Sequence, residues 1–159
     1  MTSQSGLQIP LDDITSHVID ASLQIHRDLG PGLLESVYEA ILERELTLRG
    51  LSLDRQKAVD FTYRGYLYRQ GFRVDIIVEK QVVVELKSIE KINPIHTKQL
   101  LTYLKLLELP VGLLVNFGGA TLHEGLKRVV NTRSVGVGAR LPVRSHGEDA
   151  CRSRATDST

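Results

Sequence analysis

Residues 72 to 88 read FRVDIIVEKQVVVELKS, and Asp75, Glu85 and Lys87 stand there among aliphatic neighbours. The two runs are rich in Val and Ile and meet at Glu79-Lys80-Gln81, the pattern of two buried strands in a hairpin. Side chains alternate across a strand. Val82, Val84 and Leu86 therefore share one face, and Val83, Glu85 and Lys87 the other. On the preceding strand Val74, Ile76 and Val78 face one way, and Arg73, Asp75 and Ile77 the other. A turn centred on Lys80 sets Asp75 opposite Glu85, with Cβ atoms about 5 Å apart. Carboxylates that close repel, and burial raises the pKa of one of them. A divalent cation resolves the conflict. Hard oxygens on neighbouring strands suit Mg2+, with water and a substrate phosphate filling its other positions. Lys87, one pleat along, could hold an attacking water or stabilise charge on a phosphoryl group. The rival reading is a plain salt bridge of Lys87 with Glu85 or Asp75. The hairpin register and the apolar surroundings favour the site.

The remaining elements must carry these residues. Acidic residues at Asp12-Asp13 and helical spacing from Ile14 onward predict a helix from Leu11 to Leu29, stopped by Gly30-Pro31-Gly32. A second helix is predicted from about Leu33 to Leu48, ended by Gly50. From Gln56 the period shortens to that of a strand ending at Tyr63. Arg64-Gly65 is a turn, and Tyr66 to Val78 a second strand with a bulge at Gly71. Val82 to Ser88 is the third strand. Asn93-Pro94 opens a helix that runs to about Glu108, before Pro110. Val111 to Phe117 is a central fourth strand, and Leu122 to Val130 reads equally as short strand or helix. The expected fold is α/β, a mixed sheet flanked by helices.

The chain of 159 residues suits one domain. Its net charge of +1 gives no global field that would draw a polyanion, so a phosphate-binding surface has to be a local patch. Cys151 is the single cysteine, which excludes an internal disulfide and multi-cysteine metal sites. With no membrane-length apolar run and no signal-peptide pattern, a cytoplasmic protein is expected. Residues 1–10 read as a flexible leader, 11–131 as the domain, and 132–159 as a disordered Gly-, Ser- and Arg-rich tail.

Asp75 followed by Glu85-Leu86-Lys87 resembles the PD-(D/E)xK nuclease superfamily, whose core is α-β-β-β-α-β. Gly32-Leu33-Leu34-Glu35-Ser36-Val37-Tyr38 resembles the signature of one branch, the GxxExxY proteins. The segments IHRDLGPGLLESVYEAIL, NPIHTKQLLTYLKLL and VGLLVNFG are similar to that branch too, so the likeness spans residues 11 to 131. Val74 stands where the superfamily usually has proline. The resemblance implies a nuclease in which Asp75 and Glu85 hold Mg2+ or Mn2+, helped by the Leu86 carbonyl and by Glu35 as an additional acid. Lys87 would be the catalytic lysine, and Gln99 and Tyr103, which match a QxxxY pattern, would orient the lysine or a phosphate.

Rival readings stay open. Glu35 could serve its helix N-terminus, and Gln99 and Tyr103 could be structural. Tyr38 and Gly32 read as packing and backbone geometry, His26 as structural, His96 as a phosphate contact, and His123 as outside the pattern. Arg55, Lys57, Arg69, Arg73, Lys91 and Lys98 are candidate contacts to a nucleic-acid backbone. The partner expected is nucleic acid, with DNA preferred; a homodimer or another protein partner is allowed. The alternative function is a nuclease-like module that binds without cutting.

Overall fold

A computed structural model of the chain describes residues 8–133. Nine elements follow in order: α1 (Leu11–Leu29), α2 (Glu35–Leu48), β1 (Leu53–Tyr63), β2 (Tyr66–Val78), β3 (Val82–Lys87), α3 (Pro94–Leu107), β4 (Val111–Asn116), α4 (Leu122–Gly125) and β5 (Leu126–Val130). The strands form one mixed sheet in the order β1-β2-β3-β4-β5. β3 and β4 are parallel, and the other neighbours are antiparallel. A parallel pair needs a crossover, and α3 supplies it.

Two apolar layers hold the sheet. Ile14, Val18, Ile25, Tyr38, Leu42 and Leu46 of α1 and α2 pack on Ile76, Val84, Leu86, Leu113 and Val115. Leu100, Leu104 and Leu107 of α3 pack on the opposite face, against Val74, Ile77, Val83 and Leu114. β3 and β4 lie between both layers, which is why they read as nearly unbroken aliphatic runs. Asn93 caps α3 through its side chain, which accepts from the Ile95 amide at 3.1 Å. His96 completes the capping box, its Nδ1 accepting from the Asn93 N–H at 3.2 Å.

Several expectations shift. α2 starts at Glu35, so Leu33 and Leu34 belong to the loop. The Tyr38 hydroxyl accepts from the Leu33 amide at 3.3 Å and donates to the Gly30 carbonyl, which holds that loop off the helix axis. β1 starts at Leu53, and β3 ends at Lys87. The ambiguous segment splits into the turn α4 and a fifth strand, β5, which exists because β4 offers it an antiparallel edge. Val74 does not share the layer of Ile76 and Val78 as plain alternation predicts; it packs with α3. Opposite this turnover, between the pairs Arg55↔Ile76 and Lys57↔Val74, Gln56 sits in the left-handed region at φ 50. The irregularity expected at Gly71 is present, because the register of β1 and β2 shifts between Val59↔Phe72 and Phe61↔Tyr68.

The leader is not wholly loose: Ile9 packs on the core, and its carbonyl accepts from Gln81 at 3.3 Å. The tail expected to be disordered lies outside the described residues, except for its first two.

Candidate active site at the strand fork

β2 and β3 pair from Val78↔Val82 to Ile76↔Val84, and Asp75 and Glu85 come one residue beyond the last pair on their strands. There side chains take over from backbone. The Asp75 carboxylate accepts from the Leu86 N–H at 2.9 Å. The Glu85 carboxylate accepts from the Asp75 N–H at 3.3 Å. Each acid is thus braced by the opposite strand, and the two side chains are held together.

Electrostatics at the fork follow from burial. Glu85 is only 6% exposed. Loss of water, reinforced by the charge of Asp75, pushes its carboxyl up to about 8. Burial also raises Asp75, against a lowering contribution from the Leu86 amide. Glu35, half-buried at the start of α2, is raised by burial too, an effect Lys87 partly offsets. Lys87 lies within electrostatic reach of Glu35, Asp75 and Glu85. So three acids face one ammonium, and the fork carries more negative potential than its own residues neutralise.

Two supports place Glu35 and Lys87. The Tyr38 ring stacks on Phe117 with centroids 4.4 Å apart, which ties α2 to the end of β4. The Ser88 hydroxyl donates to the Leu33 carbonyl at 2.7 Å, which ties the loop before α2 to the end of β3. Glu35 comes to Lys87 through these contacts. Asn116, opposite Lys87 in the β3–β4 register, clamps the chain just beyond. Its amide donates to the Ile89 carbonyl at 2.8 Å, and its oxygen accepts from the Ile89 N–H at 3.0 Å. The backbones pass so closely that a Cβ on Gly118 would lie 2.3 Å from the Ile89 oxygen. Asn116 carries no motif spacing, and sequence reasoning missed it.

Glu39 and Gln56 were missed as well. Buried Glu39 accepts from Arg55 at 2.6 Å and from Gln56 at 2.8 Å, and the same Gln56 amide reaches Asp75 at 3.4 Å. Glu39 lies one helical turn after Glu35, which was the available signal. Arg55, expected as a phosphate contact, is ion-paired with Glu39 and Glu43. Lys57 pairs with Asp54 at 3.3 Å. His96 is engaged in its cap, and His26 bonds the Gly119 carbonyl at 3.0 Å. Arg69, Arg73, Lys91 and Lys98 are exposed.

On the α3 side, Gln99 donates to the Tyr103 hydroxyl at 2.8 Å. Burial raises the Tyr103 phenol, and the charges of Glu85 and Asp75 add to this, so the phenol lies within electrostatic reach of the acid pair. The structure therefore brings Asp75, Glu85, Lys87, Glu35 and Tyr103 into one electrostatic neighbourhood.

The donor set suits a hard divalent cation. Two braced carboxylates, raised chiefly by burial, offer the oxygens that Mg2+ accepts from protein while it keeps most of its water. Among the described residues no group of three or more His, Cys, Asp or Glu side chains stands ready to enclose a metal. Glu35 does not close a three-carboxylate cage, and the fit is to a two-carboxylate site.

No curated protein and no solved structure matches the chain. A sequence profile of the PD-(D/E)XK nuclease superfamily matches residues 12–129, from the first turn of α1 to the end of β5. With the mixed five-stranded sheet and the acid pair at its fork, the chain belongs to the PD-(D/E)XK nuclease superfamily.

Proposed function

We propose that this chain is a divalent-metal-dependent nuclease that hydrolyses phosphodiester bonds in DNA, on the GxxExxY branch of its superfamily. The observation that carries the reading is the pairing of Asp75 and Glu85, two desolvated acids braced by each other's strands beside Lys87. Asp75 and Glu85 would hold Mg2+ or Mn2+, with the Leu86 carbonyl as a further oxygen donor and Glu35 as the additional acid that reaches the water of the metal. When bound, the cation supplies a Lewis acid that acidifies water and neutralises phosphoryl charge.

The chain's own residues do the rest. The Lys87 ammonium faces the fork and stabilises negative charge as it develops on the phosphoryl oxygens. Glu35, made a better base by burial, accepts a proton at its carboxylate. The Tyr103 hydroxyl, set by Gln99, orients the phosphate or the lysine. Desolvation at the fork strengthens each of these interactions.

A binding module that does not cut is the second reading. Incubation with single- and double-stranded DNA and RNA, in Mg2+, Mn2+ or EDTA, separates the two. Cleavage that needs the metal and disappears in Lys87→Ala and Glu85→Ala supports the nuclease. Equal cleavage by all three proteins identifies a contaminant and ends the assignment.

A further inference from the structure

Three Phe, five Tyr and no Trp occur in the chain. Phe61, Tyr63, Tyr66, Tyr68 and Phe72 all lie on the β1–β2 hairpin, interleaved with Arg64, Arg69 and Arg73. β3 pairs only with Ile76, Ile77 and Val78, so the hairpin beyond Val74 is a two-stranded arm. The cross-strand pairs Phe61↔Tyr68 and Tyr63↔Tyr66 are two positions apart and share one face. Burial does not account for them: Tyr63 is 57% exposed, Tyr66 74% and Tyr68 47%.

The rings form a row with a direction. Tyr68 stacks on Phe61 at 5.2 Å between centroids, Phe61 meets Phe72 at 6.4 Å, and Phe72 stacks on Tyr103 at 4.4 Å. Tyr103 lies within electrostatic reach of the acid pair. A chain of ring contacts therefore runs from Tyr68, which shares a face with the exposed pair Tyr63 and Tyr66, down to Tyr103 on α3. Gly71 makes room for it, since a Cβ there would lie 2.2 Å from the Phe61 ring. Arg64 sits 5.4 Å over the Tyr63 ring, and Arg69 and Arg73 are exposed.

We propose that the exposed rings of Tyr66, Tyr63 and Tyr68 on this arm are a stacking platform for unpaired bases, which leads a single strand of DNA toward the acid pair. The inference rests on the nuclease reading and names its substrate class. Exposed rings offer flat faces to bases, which a duplex keeps stacked internally. Arg64 lies over the Tyr63 ring, and Arg69 and Arg73, on the other face of a ribbon only two strands wide, add positive charge for the phosphates of a strand stacked on the rings; an apolar protein partner would leave that charge unmatched.

The test measures binding in EDTA, where nothing is cut, by anisotropy of fluorescein-labelled (dT)20, with a 20-base-pair duplex and (rU)20 as competitors. Wild type should prefer (dT)20 to both. Tyr63→Ala/Tyr66→Ala should weaken (dT)20 binding by about ten-fold or more, while Tyr63→Phe/Tyr66→Phe stays within about three-fold, since the ring is kept. Arg64→Ala/Arg69→Ala should lower the slope of log affinity against log salt by about 1.4. Both tyrosines are exposed, so an unchanged melting temperature is expected and checks folding. Preference for duplex or (rU)20, or unchanged (dT)20 affinity in the alanine variant, overturns the proposal. So does loss of a dimer on sedimentation with (dT)20 affinity intact, which would mark the arm as a contact between copies. The outcomes also separate the two readings. Tyrosine-dependent binding without Mg2+-dependent cleavage keeps the platform and removes the nuclease; cleavage with tyrosine-independent binding does the reverse.

Discussion

From Val74 to Val78, strand β2 lies inside the five-stranded sheet, and its aliphatic side chains are at most 3% exposed. From Tyr66 to Tyr68 the same strand leaves Tyr66 74% and Leu67 55% exposed. Both stretches are rich in strand-forming residues, so local propensity does not distinguish them. The difference is neighbours. The short strand β3 covers only the last three residues of β2, and α3 and α2 cover the same end. Where cover ends, β2 turns over at Asp75, and the catalytic candidates sit at that border. The buried end is a rigid wall for the acids; the exposed end is held by ring pairs across two strands.

Substitutions at the two ends sharpen this contrast. Ile76→Ala removes a fully buried side chain and should cost about 2–5 kcal/mol in urea denaturation. At the border, Lys87→Ala should lower Mg2+-dependent cleavage by about 100-fold or more, while leaving thermal stability near wild type. A Lys87→Ala enzyme as fast as wild type would remove the lysine from the mechanism.

Proton linkage probes the same border. Folding raises Glu85 from 4.5 to about 8. The folded value is the higher one, so the neutral carboxyl stabilises the metal-free fold fully below about 4.5, and this contribution is lost as pH rises through about 8. The melting temperature in EDTA should therefore fall across that window. Glu85→Gln should flatten the fall, and Mg2+ should restore stability at the alkaline end. An EDTA profile of wild type that matches Glu85→Gln would contradict the strained acid pair.

Smaller effects belong to the arm. Gly71→Ala pushes on the Phe61 ring and should cost about 1 kcal/mol, with a shift in the ring's proton resonances. Leu67→Ala, at a half-exposed position, should stay within about 0.5 kcal/mol of wild type. A large loss there would mean that the arm is buried in an assembly.

Much of the fork was legible because its signals are local. Strand period and a central Lys80 put Asp75 opposite Glu85; the observed register stops one step short of that pair, at Ile76↔Val84, and side-chain hydrogen bonds join the two strands beyond it. Glu35 stood out through a resemblance, yet its helix begins two residues later than its apolar neighbours suggest. Leu33 and Leu34 are compatible with a helix, and only the contacts of Leu33 to Tyr38 and Ser88 keep them out of it. Leu122 to Val130 stayed ambiguous because five residues of strand depend on β4 for their hydrogen bonds. Arg55 looked available to phosphate because nothing in its own segment announces Glu39 and Glu43.

Alternation and turn chemistry act between residues near in sequence, so by themselves they determined the first four strands, the hairpin and the expected approach of Asp75 to Glu85. The approach of Glu35 to Lys87, the Asn116 clamp on Ile89, the turnover of β2 at Asp75 and the exposure of the aromatic arm were decided by tertiary structure alone. Each depends on which distant segments pack together and where a neighbouring strand stops, and no short-range period in the chain encodes that.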